Sequence, residues 1–117
     1  MTVYMLAEKE IIPAKKGSAP YSLTEAQSML EKVGEPWHLN EDATKIHVSY
    51  KFKNFKRALQ FVNELGMIAD AAMHHPDIQL GWGYVNLEIQ THSIGGVQEA
   101  DFVLAAKSQR IYEDCIA

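Results

Sequence analysis

The chain has 117 residues, 47% of them apolar and 22% charged, and a formal net charge of −4; that suffices for one hydrophobic core and fits a globular protein, not a disordered or membrane-spanning one. Its eleven Lys and Arg are scattered apart from Lys15-Lys16 and the Lys51 to Arg57 stretch, so it lacks the broad positive field that nucleic-acid backbones require and no direct nucleic-acid partner is expected. Cys115 is the single cysteine, which excludes an intrachain disulfide and a cysteine-based metal cluster.

Met1 to Ala7 is weakly apolar, but Glu8, Lys9 and Glu10 interrupt it before it reaches signal or spanning length. A cytoplasmic protein with no membrane association is therefore expected. Pro13, Lys15-Lys16-Gly17-Ser18 and Pro20 give residues 1–21 the composition of an extended or mobile arm, and the domain is expected to occupy residues 22–117. Leu23, Ala26, Leu30 and Val33 recur at helical spacing, with Ser22 and Glu25, or Thr24 and Gln27, available as a capping box. Gly34 and Pro36 end this helix.

Ile46, Val48, Tyr50 and Phe52 alternate with Lys45, His47, Ser49 and Lys51, the period of a half-buried strand. Trp37 to Leu39 is its expected antiparallel partner across a turn at Asn40 to Thr44. Asn54 is placed to cap a long amphipathic helix marked by Phe55, Ala58, Leu59, Val62, Leu65, Ile68, Ala69 and Ala72, which must end before Pro76. Ile78, Leu80 and Trp82, then Val85, Leu87 and Ile89, read as a second hairpin turning at Gly83. Val97 to about Tyr112 reads as the last helix, with Glu99 and Asp101 in its first turn, Gly95-Gly96 leading into it and Cys115 in a tail. The order α-β-β-α-β-β-α predicts an α+β fold: a four-stranded antiparallel sheet with three helices packed on one face.

Three of the five histidines, His74, His75 and His92, fall within nineteen residues. Imidazole exchanges protons near neutrality, so a convergent set suits general acid/base work. Asp70 lies four residues before His74, the spacing at which a helix would let it orient that ring. The structural alternative is a pair of histidines completing a helix C-terminus before Pro76, with His92 ending a strand and merely facing solvent. A metal site built from His74, His75, His92 and Asp70 or Asp101 ranks below acid/base chemistry, because adjacent histidines diverge and no H-E-x-x-H signature is present.

The other candidates are weaker. Trp82 is suited to stacking on a planar ligand or to packing in a core or interface, and Trp37 to the core. Ser93 and Cys115 lack the partners of a nucleophile. Gly95-Gly96 has no dinucleotide or phosphate fingerprint. Lys51 to Arg57 reads as a solvated face, and His38 and His47 as surface residues.

The run Asp70-x3-His74-His75-Pro76-x5-Trp82-x9-His92-x8-Asp101 resembles the signature of the pterin-4a-carbinolamine dehydratases. Pro36-Trp37, the Tyr50 to Phe55 segment with Ala58 and Phe61, Thr91 and Gly95-Gly96 extend the likeness across residues 22–112. The chain departs from the family pattern at Asp70, commonly glutamate, and at Trp82, often tyrosine.

The resemblance implies dehydration of a 4a-hydroxytetrahydropterin to the quinonoid dihydropterin, in support of pterin recycling, without cofactor or metal. It implies His74, His75 and His92 as catalytic residues, with His74 and His92 the acid/base pair and His75 binding pterin or sharing proton transfer. Asp70 would orient His74, and Pro76, Thr91 and Ser93 would shape the pterin pocket, with Trp82 among the binding residues. Asp101 would hold His92 or simply favour the helix dipole. It further implies a homodimer or homotetramer, and leaves open a non-catalytic binding module or transcriptional coactivator on the same fold.

Overall fold

The computed structural model of the chain describes residues 3–116. Its first helix, α1 (Val3–Ala7), lies where extended chain was expected, and Leu6 and Ala7 are fully buried. Five residues are too few to display a helical period, and α1 is held by packing against helices later in the chain. Helix α2 (Leu23–Val33) starts with the expected capping box: the Ser22 hydroxyl accepts the Glu25 amide at 3.2 Å and the Glu25 carboxylate accepts the Ser22 amide at 2.8 Å.

Strands β1 (His38–Leu39) and β2 (Ile46–Lys51) form the first hairpin. Between them the Asn40 carboxamide oxygen accepts the amides of Thr44 and Lys45, which fixes the turn. Helix α3 (Phe55–Ala71) is capped by Asn54, whose side chain accepts the Arg57 amide at 2.9 Å. Strands β3 (Asp77–Gly81) and β4 (Tyr84–Ile89) form the second hairpin around Trp82 and Gly83. A short 3-10 turn over His92–Ile94 then leads to helix α4 (Glu99–Ile116).

The strands lie in the order β1-β2-β4-β3, each antiparallel to its neighbours. In the central pair, Ile46, Val48 and Tyr50 stand directly opposite Ile89, Leu87 and Val85, and all six are buried. The alternation predicted from sequence thus becomes one apolar face, beneath the helices. The opposite face carries His47, Ser49, Lys51, Asn86 and Glu88, with Ser49 and Lys51 exposed.

Phe61, Leu65 and Ala69 of α3 and Phe102 to Ala106 of α4 complete the core. Burying each large apolar side chain contributes about 1.5–3 kcal/mol. Trp37 is buried, as expected; its indole N–H donates to the Tyr50 hydroxyl at 3.0 Å and to Gln109 at 3.2 Å.

Three expectations are corrected at element ends. Strand β3 stops at Gly81, so Trp82 stands in the hairpin turn, 72% exposed, instead of in a strand. His92 opens a helical turn instead of ending a strand. Cys115 lies within α4, half-buried against the core, and this burial pushes its thiol pKa up.

Candidate active site

His74 owes its position to the way α3 ends. Met73 adopts a left-handed conformation, φ 56°, directly after the C-cap Ala72. The amide of His74 donates to the Ala69 carbonyl and that of Met73 to the Asp70 carbonyl, each at 3.1 Å. This pair of bonds is a Schellman motif, a helix stop that reverses the chain and satisfies the last carbonyls. The histidine that follows is turned inward and is only 7% exposed.

Its Nε2 lies 2.8 Å from Oδ1 of Asp101, which is fully buried. Oδ2 of the same carboxylate accepts the Thr91 hydroxyl at 2.7 Å and the Gln98 amide at 2.9 Å. Asp101 is the third residue of α4 and holds the amide of the residue preceding the helix, the position at which a carboxylate suits the helix N-terminus. A carboxylate only accepts hydrogen bonds, so the His74 proton sits on Nε2 and its Nδ1 keeps a lone pair in the neutral ring. Nδ1 makes no hydrogen bond, yet among the described residues no buried side-chain nitrogen or oxygen lacks a partner. Nδ1 is therefore not sealed from solvent.

His75 points elsewhere. Its Nε2 is 3.0 Å from Oδ1 of Asp70, and both side chains are exposed, at 55% and 81%. An exposed pair of this kind orients a ring loosely and adds little stability. Two sequence expectations are thus corrected: Asp70 partners His75, not His74, and Asp101 holds His74, not His92, while keeping the place in the first turn of α4 that its alternative reading gives it. The four-residue rule applies within a helix, and α3 ends at Ala71 before it reaches His74.

His92 is reached through a closed loop. Thr91 and Gly96 pair as an antiparallel bridge, with the Thr91 amide donating to the Gly96 carbonyl at 2.8 Å. Gly95 caps the 3-10 turn between them at φ 67°, a conformation that costs a non-glycine residue about 1–2 kcal/mol. The loop presents His92 and Ser93, both exposed, on the same side as His74.

These segments enclose a cleft of about 270 Å³, lined by Met73, His74 and His75 from the end of α3 and by Gln90 to Ser93 after β4; Pro13 and Ala14 complete it. Of the residues singled out in the sequence, His74, His75, His92, Thr91 and Ser93 converge on it. Asp101 stands behind His74. Asp70 reaches the cleft only through His75, Pro76 merely follows the two histidines, and Trp82 is not among the lining residues. Met73, Gln90, Pro13 and Ala14 are not among the site residues expected from the sequence, because none carries a titratable group. Among the described residues, no three His, Cys, Asp or Glu side chains are grouped so as to hold a metal ion.

The sequence profile described as pterin 4 alpha carbinolamine dehydratase matches residues 19–111, most of the chain. The chain belongs to the pterin-4a-carbinolamine dehydratase family. It is 48% identical over 102 residues to a Halorhodospira halophila protein, covering 87% of this chain and 93% of the relative. A Methylococcus capsulatus protein is 41% identical, with 92% and 93% covered. Both bear the name "Putative pterin-4-alpha-carbinolamine dehydratase".

A solved Brucella melitensis structure, titled a transcriptional coactivator/pterin dehydratase, superposes with a TM-score of 0.75 at 28% identity, covering 80% of this chain and 98% of that one. A pterin dehydratase-like protein identified as a RuBisCO assembly factor of the alpha-carboxysome has a TM-score of 0.59 at 18% identity and shares the fold. The α+β fold expected of the family is the one observed, with α1 added to the three expected helices.

Proposed function

We propose that the protein catalyses loss of water from a 4a-hydroxytetrahydropterin, with His74 and His92 as the acid/base pair. The observation that carries this reading is the buried Asp101 carboxylate, hydrogen-bonded by Thr91 and Gln98, set against the Nε2 of a histidine that lines the cleft and whose other nitrogen has no partner among the described residues. Such a carboxylate holds the tautomer and stabilises the imidazolium that forms when Nδ1 takes up a proton. His74 is thus suited to act as base toward the N5 proton of the substrate.

The N5–H electron pair forms the C4a=N5 double bond, and the C4a–O bond breaks. His92, exposed beside His74, gives a proton to the departing hydroxyl, which leaves as water. Protons balance between the two rings, and the step asks for no hydride or phosphate transfer. His75, tied to Asp70, contacts the bound pterin, while Thr91, Ser93 and the backbone at Pro76 shape its surroundings.

His74→Ala and His92→Ala should each lower the dehydration rate about 10²-fold or more, measured by stopped flow on a carbinolamine generated in place. A wild-type rate no faster than the uncatalysed reaction would instead favour the binding-module reading; the Brucella structure's title names a transcriptional coactivator as well as a pterin dehydratase.

We propose further that the protein self-associates as a homodimer or homotetramer. Helix α3 leaves Phe55, Leu59 and Met67 exposed at 44%, 38% and 76%, an apolar surface suited to a second copy. Light scattering on the purified protein tests this, and a monomer at micromolar concentration would overturn it. Among the described residues, no helix is long and apolar enough to cross a membrane; a cytoplasmic location remains part of the proposal, with fractionation of the source cell as its test.

A further inference from the structure

The third wall of the cleft comes from an unexpected place. Pro13 and Ala14 lie in residues 8–20, which form only turns and extended chain and mostly precede the family match at residues 19–111. The segment is nevertheless pinned at both ends. Upstream, Leu6 and Ala7 are buried, the Lys107 ammonium donates to the Ala7 carbonyl at 2.6 Å, and Lys9 pairs with Glu99 at 3.1 Å. Downstream, the Tyr21 amide donates to the Val97 carbonyl at 2.8 Å and the Gln98 carboxamide donates to the Ala19 carbonyl. Pro20 sits so close to Gly96 that a methyl group there would fall 2.5 Å from its Cβ. All of these anchors lie on α4 or on the chain leading into it, beside Asp101. Between these anchors Pro13 and Ala14 come to line the cleft.

The walls differ in chemistry. The ends of α3 and β4 supply imidazoles, a carboxamide and hydroxyls, the groups that move protons and form hydrogen bonds. The arm supplies a proline ring and a methyl group, which have no side-chain donor or acceptor and act by shape alone. At about 270 Å³ the cleft is at the small end of ligand pockets and open to solvent, so a substituent on a bound bicyclic ring must leave it past one of its walls.

We infer that the arm forms a specificity wall at Pro13 and Ala14, and that these two residues set the bulk of the substituent a bound pterin can carry. The inference rests on the pterin reading of the cleft. Pro13 is exposed and Ala14 half-buried, so changes at either alter the wall without opening the core.

The test compares two carbinolamines, one with a methyl group at C6 and one with a dihydroxypropyl chain. Ala14→Leu should lower kcat/KM for the longer substrate about tenfold more than for the shorter, the discrimination that a few methylenes of steric volume produce. Pro13→Gly combined with Ala14→Gly should shift the ratio the other way. A ratio that stays within about twofold of wild type in both variants would overturn the inference; a general loss of activity leaves the ratio intact and cannot imitate specificity.

A second measurement does not depend on turnover. Lys15 and Lys16 are exposed trypsin sites directly after Ala14. Saturation with biopterin, a stable oxidised pterin, should slow cleavage there severalfold while leaving cleavage at Lys56 unchanged. Wild-type protein that fails to accelerate dehydration would sink the dehydratase reading, and protection at Lys15-Lys16 would still uphold the wall. Normal dehydration without protection would remove the wall and spare the enzyme.

Discussion

Asp101 decides what His74 is able to do. The carboxylate is fully buried, and its other oxygen is occupied by Thr91 and Gln98, so the ring it faces must present N–H at Nε2. Asp101→Asn keeps the shape but lets the amide nitrogen face the ring, which favours the opposite tautomer with the proton on Nδ1. The expected loss of dehydration rate is about 10²- to 10⁴-fold, the range seen when an orienting carboxylate is neutralised. Nitrogen-15 NMR of the ring separates this from a merely structural effect: wild type should show the Nε2–H form and the variant the Nδ1–H form. The same tautomer in both would overturn the orienting role. Thr91→Val, which leaves the ring's partner in place, should cost much less activity. This pairing was hidden in the sequence because twenty-seven residues separate the two groups, and only their place in the family spacing hinted that Asp101 belonged to the site. Asp70 offered itself through local spacing, a rule that fails once the helix has ended.

Most of the element pattern was legible because period and capping are local. Ser22 with Glu25 and Asn54 made the caps their sequence advertised, and β2 and β4 kept their alternation. What escaped was set by packing or by backbone strain. Helix α1 exists through its contacts with α2 and α4, and Met73 gives no sign in the sequence that it must adopt φ 56°. A left-handed conformation costs a side-chain-bearing residue about 1–2 kcal/mol, and glycine avoids that cost while losing about 0.4–1 kcal/mol through its freer unfolded chain. Met73 is 74% exposed, so little packing is lost on replacing it. Met73→Gly should therefore raise stability by about 0.5–1 kcal/mol in urea denaturation. A destabilised variant would show that Met73 makes contacts at the cleft rim that outweigh its strain.

At the scale of the whole molecule, the sheet and α4 are joined by a polar network inside an apolar core. Tyr50 of β2 donates to Gln109 of α4 at 2.7 Å, accepts from Trp37 at 3.0 Å, and stacks on Tyr112 with ring centres 4.0 Å apart. Burial pushes the Tyr50 hydroxyl pKa well above its ordinary value of 10.0, because a phenolate there would be stripped of water. The folded protein consequently binds this proton more tightly than the unfolded chain does. Stability from Tyr50 is complete below pH 10.0 and is lost as pH rises above it, where the unfolded chain ionises first. Tyr50→Phe should cost about 1 kcal/mol at neutral pH for the lost hydrogen bond, since Trp37 keeps Gln109 as an acceptor. It should also flatten the decline in stability between pH 9 and pH 11 (about one unit either side of the ordinary tyrosine pKa). Part of the decline should survive, because burial also raises the pKa of Tyr21. Denaturant titrations of both proteins across that range provide the measurement; identical slopes would mean that Tyr50 ionises as readily in the folded protein as in the unfolded chain.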